Sequence, residues 1–154
     1  MTEHTTTDAG ITITKVFDAP REAVFKAWTE PARFAQWFGL RDSTIPPETV
    51  VMDVRPGGAW RATMIVGPER TEIPWRGVYR EVVEPERLVF TLSDQPERPG
   101  EGVEVVTVTL TDLGGTTEMV FHQGGGNLPE EEYVRAGQGW STFFERLAEH
   151  VAQG

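Results

Sequence analysis

The stretch LPEEEYVRAGQGWSTFFERLAEHVAQ, residues 128–153, decides how the rest of the chain must be arranged. Tyr133, Gly137, Trp140, Phe144, Leu147 and Val151 step by 4, 3, 4, 3 and 4, which is one face of an α-helix. Asn127 or Leu128 is placed to cap it, and Pro129 suits the first turn. Glu130, Glu131 and Glu132 favour the positive end of the helix dipole. Two glycines interrupt the pattern, each costing about 1 kcal/mol relative to alanine in a helix interior. Gly137 lies on the apolar face, where a missing side chain either leaves space or lets a strand come close. Gly139 lies off that face and would loosen or bend the helix.

Such a helix needs an apolar surface to lie on, and the preceding residues supply strands. ITITKVF (11–17) alternates and is rich in β-branched residues. REAVFKAW (21–28) and EPARFAQWF (30–38) read as two short helices with prolines at their starts, the second ended by Gly39. TVVMDV (49–54), the turn RPGG (55–58) and AWRATMIV (59–66) make a hairpin. EIPWRGVYREVV (72–83) and RLVFTL (87–92) pair across EPE (84–86), and VEVVTVTLTDL (103–113) pairs with TTEMVFHQ (116–123) across two glycines. The expected fold class is α+β. A curved antiparallel sheet wraps around the long C-terminal helix, with two short helices after the first strand, because only that helix can cover the sheet's apolar face. Residues 1–9 read as a flexible tail, and 10–154 as one domain.

Alternation puts Trp60, Ala62 and Met64 on one side of their strand, and likewise Leu88, Phe90 and Leu92, then Val106, Val108 and Leu110, then Met119 and Phe121. With Tyr133, Trp140 and Phe144 they make a broad aromatic and methionine-rich surface, either packed core or the lining of a cavity. Phe34 and Phe38 read as exposed, a surface for a weak homodimer contact.

Composition excludes several functions. There is no cysteine, hence no disulfide, thiol nucleophile or cysteine metal site. That composition fits a reducing cytoplasm, the expected location. The net charge of -10 repels nucleic acid and anionic membranes, and no run of apolar residues is long enough for a membrane span. The three histidines are scattered without metal-ligand spacing, and RPGG lacks the following helix and residues of a phosphate loop, so neither metal nor cofactor is expected.

Acid–base chemistry has one opening. Trp75, Gly77, Tyr79 and Glu81 share a face of their strand by alternation. If that face turns inward, Tyr79 and Glu81 meet a ligand, and a buried Glu81 with a raised pKa becomes a catalytic candidate. If it turns outward, Glu81 is solvated. Ser141 and His150 are too far apart along one helix to act together. Asp53 and Arg55 flank the glycine turn as a pair, buried or not. HQGGGN (122–127) is either a hinge over a cavity mouth or a flexible connector, with His122 facing solvent.

FDAPREAVFKAWTEPARFAQWF (17–38), DVRPGGAWRATM (53–64), GVYREVVEPERLVFT (77–91), VTVTL (106–110) and GWSTFFERL (139–147) occur in this order. Together they resemble the homologues of the heat-shock protein 90 ATPase activator C-terminal domain, within the START-like or SRPBCC superfamily. The resemblance spans residues 11 to 152. It implies a helix-grip fold, often with a cavity between sheet and helix. Superfamily members bind lipids, sterols, polyketides or hormones, and some cyclise polyketides. The eukaryotic activator carries a further N-terminal domain for which this chain has no room.

The expectation is therefore a bacterial, cytoplasmic binding protein for a hydrophobic small molecule, lipid- or polyketide-like. The expected lining is Trp60, Met64, Trp75, Tyr79, Phe90, Val108, Met119, Phe121, Tyr133, Gly137, Trp140 and Phe144. Tyr79, Glu81, Tyr133, Trp75 and Gln123 are the candidate polar groups. A cyclase- or hydrolase-like enzyme using Tyr79 or Glu81 is the alternative, and a stress-related, chaperone-associated module is a further one.

Overall fold

The computed structural model describes residues 2–7, 10–39, 43–93, 104–126 and 128–152. The expected cap at Asn127 and the first residue of the 103–113 strand lie outside them.

Nine strands form one antiparallel sheet among these residues. They are β1 (Thr2–Thr7), β2 (Gly10–Phe17), β3 (Ser43–Thr44), β4 (Val51–Met52), β5 (Ala59–Val66), β6 (Thr71–Val83), β7 (Arg87–Leu92), β8 (Glu104–Asp112) and β9 (Thr117–Gly124). The order is β1-β2-β9-β8-β7-β6-β5-β3, with β4 also on β5. Helices α1 (Arg21–Thr29) and α2 (Pro31–Trp37) follow β2, and α3 (Glu130–Ala152) ends the fold. This is the expected α+β helix-grip arrangement.

Residues 2–7 differ from the expected tail. They form an edge strand in register with β2, from Thr2 opposite Lys15 to Thr7 opposite Gly10. The polar, threonine-rich composition that suggests a tail also suits an edge strand. The 49–54 strand shrinks to Val51–Met52, because Pro46 and Pro47 lead into a short 3-10 turn, Pro47–Thr49. The hairpin survives, with Met52 opposite Trp60.

All six residues of the predicted α3 stripe are buried, together with Phe143. Gly137 answers its own question. A Cβ there would stand 2.6 Å from Ile11 Cδ1, so β2 lies against the helix at that point and Ile11 occupies the space. A Cβ at Gly139 would meet nothing within 4 Å, and no packing requirement explains that glycine.

Inside the curve, Trp28 of α1 is the hub of an aromatic cluster. Its ring lies 4.7 Å from Trp37, 6.0 Å from Phe90, 6.1 Å from Trp140 and from Phe144, and 6.4 Å from Phe121. Phe34 and Phe38 belong to it, only 3% and 2% exposed, which corrects their expected place on the surface. They stack on each other at 4.5 Å, and Phe38 reaches Phe143 of α3 at 5.3 Å. The short helix α2 and its C-terminal end are wedged between α1 and α3, so these two rings are not available for a dimer contact.

Candidate ligand site

Two spaces lie along α1 and β6, the smaller of them within the aromatic cluster. The inner one, about 10 Å³, is lined by Trp28, Phe34, Met52, Trp60, Tyr79 and Phe90. The outer one, about 260 Å³, is a cleft lined by Phe25, Lys26, Thr29, Glu30, Val54, Val82 and Glu84. Both draw their walls from α1, from the segment at 52–54 and from β6. Five of the six inner walls are buried, whereas Met52 is half-buried, the one lining residue in part open to solvent.

The elements converge here for local reasons. Gly57 takes a positive φ of 86°, and a side chain at Gly58 would collide with the Asp53 carbonyl, so RPGG forms a tight turn only with this glycine pair. Gly57 N–H donates to the Tyr79 carbonyl at 2.8 Å and Tyr79 N–H to the Gly58 carbonyl at 2.9 Å, which ties the turn to β6. A side chain at Gly77 would collide with the Thr91 carbonyl and the Trp60 indole, so glycine allows β6 to cross close to β7.

Polar groups in the gap are few. The Trp60 indole donates to the Thr91 carbonyl at 3.0 Å, and Trp37 to the Ala27 carbonyl at 2.8 Å. The Trp28 indole N–H is buried with no partner. A buried donor without an acceptor is uncommon and costs about 1–3 kcal/mol. The Tyr79 hydroxyl has no hydrogen bond among the described residues. Burial, and secondarily the negative charge of Asp53, raise its pKa far above the ordinary tyrosine value, so it stays a phenol able to donate.

The expected lining divides in three. Trp60, Tyr79 and Phe90 border the gap. Met64, Val108, Met119, Phe121, Trp140 and Phe144 are packed core, and Gly137 is closed off by Ile11. Trp75 is half-buried beside Phe38, its indole N–H also unpartnered. Trp28, Phe34 and Met52 were absent from the expectation, since nothing in their local pattern separates them from ordinary helix and strand residues.

Glu81 does not join Tyr79. The ladder to β7 pairs Tyr79 with Phe90 but Glu81 with Val89, leaving Arg80 as an extra residue. That β-bulge reverses the alternation, so Glu81 is exposed and accepts from Arg87 at 3.3 and 3.4 Å. Asp53 and Arg55 form an exposed ion pair at 2.8 Å.

Gln123 and Tyr133 are engaged elsewhere, by a residue that sequence reading missed. Glu104, at the start of β8, accepts from Gln123 Nε2 at 2.8 Å, Gly126 N–H at 2.6 Å and Tyr133 Oη at 2.9 Å. Gln123 Oε1 in turn accepts from the Trp140 indole at 2.7 Å. One carboxylate thus fastens β9, the β9–α3 connection and α3 together. HQGGG (122–126) is accordingly pinned by Glu104 at Gln123 and Gly126, with His122 facing solvent and bonded to Thr12 at 2.9 Å. Among the described residues no group of three or more histidines, cysteines or carboxylates is arranged to hold a metal, and no helix is long and apolar enough to cross a membrane.

A curved sheet gripping a terminal helix around an aromatic interior defines the helix-grip class of START-like domains. The chain belongs to the family of Activator of Hsp90 ATPase homolog 1-like proteins, whose family model matches residues 18–152. Solved structures agree over nearly the full chain. A Chromobacterium violaceum protein is 25% identical, with 94% of this chain and 98% of that one covered and a TM-score of 0.81. The AHSA1 protein of Silicibacter pomeroyi is 23% identical, with 94% and 99% covered and a TM-score of 0.79. A Staphylococcus epidermidis protein is 19% identical, with 97% and 93% covered and a TM-score of 0.81. No protein of curated function matches the sequence.

Proposed function

We propose that the protein binds a small, flat, apolar molecule through the mouth between α1, Met52 and β6, and that the present conformation is its closed state. The observation that carries this is the Trp28 indole N–H. It is a buried donor without an acceptor, on a residue that walls the small gap. A gap of about 10 Å³ holds one water at most. A larger guest must displace side chains, and Met52 is placed to yield: it is unbranched, flexible and half-buried. The guest's apolar body would replace Met52 against Phe34, Trp60 and Phe90, gaining about 25 cal/mol per Å² of apolar surface removed from water. Its acceptor atom would take the hydrogen bond that Trp28 now lacks, with Tyr79 as a second donor. Family membership supports ligand binding of this general kind.

Met52 is the point of test, because replacing a half-buried residue leaves the fold intact. An environment-sensitive naphthalene sulfonate dye should bind Met52→Ala several-fold more tightly than the unaltered protein. Met52→Trp should abolish binding. Equal affinity in all three proteins, together with native mass spectra of freshly purified protein showing no retained small molecule, would sink the proposal.

A further inference from the structure

The outer face of β4, β5 and β6, on the side of the sheet away from α3, carries arginines that no carboxylate among the described residues answers. Arg61 and Arg76 are direct cross-strand partners, and both are exposed. Like charges directly opposite each other on neighbouring strands are destabilising. Arg80 follows on the same side of β6 and is exposed as well. None of the three side chains forms an ion pair or hydrogen bond among the described residues. Elsewhere Arg21, Arg33, Arg55, Arg87 and Arg135 have carboxylate partners and Arg146 donates to backbone carbonyls, in a chain with 24 acidic side chains; Arg70, at a turn, is the other described arginine without a carboxylate partner among the described residues. The outward carboxylates of β6 offer no relief. Glu72 stands four residues before Arg76, and Glu81 is taken by Arg87. On the other flank of Arg61 its partner is Val51, 46% exposed, so the row across the sheet runs valine, arginine, arginine.

We infer that this face docks an acidic, partly apolar peptide segment of a partner protein, independently of the interior site. Facing side chains on paired strands lie about 4.5–5.5 Å apart at Cβ, close enough for two guanidinium groups to share one carboxylate or grip two neighbours. Val51 supplies apolar contact beside them. A long polyanion fits less well, because the net charge of -10 repels it beyond this short row. The peptide's carboxylates would remove the repulsion between Arg61 and Arg76, so binding gains what the free protein lacks.

The test uses the full chain and a fluorescein-labelled peptide of alternating glutamate and leucine, followed by fluorescence anisotropy. Saturable binding that weakens with added salt is expected. Arg61→Gln and Arg76→Gln should each weaken it about tenfold, as expected when a charged contact in a docked interface is lost. Arg135→Gln, on α3, should leave it unchanged. Arg76→Gln should also keep or raise the thermal midpoint at low salt, since a repulsion is removed, and should leave dye binding at the Met52 mouth unaltered. No saturable binding, or equal loss in Arg135→Gln, would overturn the assignment. So would tighter binding of a single-stranded oligonucleotide of equal charge, which would give the face to nucleic acid instead.

Discussion

Gly137 and Gly139 sit two residues apart in one helix and should respond unequally to the same substitution. Gly139→Ala meets no neighbour, so it should stabilise the protein by about 1 kcal/mol through helix propensity. Gly137→Ala must push Ile11, which is fully buried, and overpacking of that kind costs about 1–3 kcal/mol against the same propensity gain. Urea denaturation should therefore rank Gly139→Ala above the unaltered protein and Gly137→Ala below Gly139→Ala. Ile11→Val removes the Cδ1 atom in the way and should relieve Gly137→Ala; strictly additive effects of the two changes would refute the contact. At Gly137 the local sequence allows either open space or a close strand, because the atom that decides comes from Ile11, far away in the chain.

The elements were legible to the extent that their signals are local. The α3 stripe repeats at helical spacing, and every predicted position is buried. The two short helices and most hairpins follow from prolines, glycines and alternation. The failures arise where pairing between elements overrides the local pattern. Alternation along β6 reads straight through Arg80, and only register with β7 reveals the bulge that turns Glu81 out. The rings of Phe34 and Phe38 are apolar in any reading, yet what they pack against depends on where α3 lies. Glu104 had no local signal, since its partners come from β9, the connection and α3. Removing it by Glu104→Ala leaves donors on Gln123, Gly126 and Tyr133 unanswered and should cost about 2–3 kcal/mol. Hydrogen exchange should then quicken in the first half of α3 more than in the second; uniform quickening would argue against a local clasp. A polar contact between α2 and α3 adds a pH dependence. His150 Nδ1 lies 3.1 Å from Gln36 Oε1 while its Nε2 is buried without a partner. Burial first, and the positive charge of Arg33 second, hold its pKa below the ordinary histidine value. The unfolded chain therefore takes up this proton before the folded one, so stability is full above about pH 6.5 and falls as pH drops below it. The loss in urea midpoint between neutral and mildly acid pH should shrink in His150→Gln; an unchanged loss would remove His150 from the account.

At the scale of the whole molecule, the protein is a helix-grip domain whose interior is filled by its own aromatic side chains. The fold was readable because a long helix with one apolar face and a run of hairpins permit few arrangements. Whether the grip encloses space was not readable, because a packed core and a cavity lining use the same residues. The structure closes the centre with Ile11, Trp28 and Trp140 and leaves a gap of about 10 Å³ walled in part by Trp28, whose indole has no acceptor. The most direct test is the indole ¹⁵N–¹H spectrum during titration with the naphthalene sulfonate dye. The Trp28 signal should move as the dye saturates, while that of Trp37, bonded to the Ala27 carbonyl, should stay in place. Saturable dye binding that leaves the Trp28 signal where it began would contradict the account.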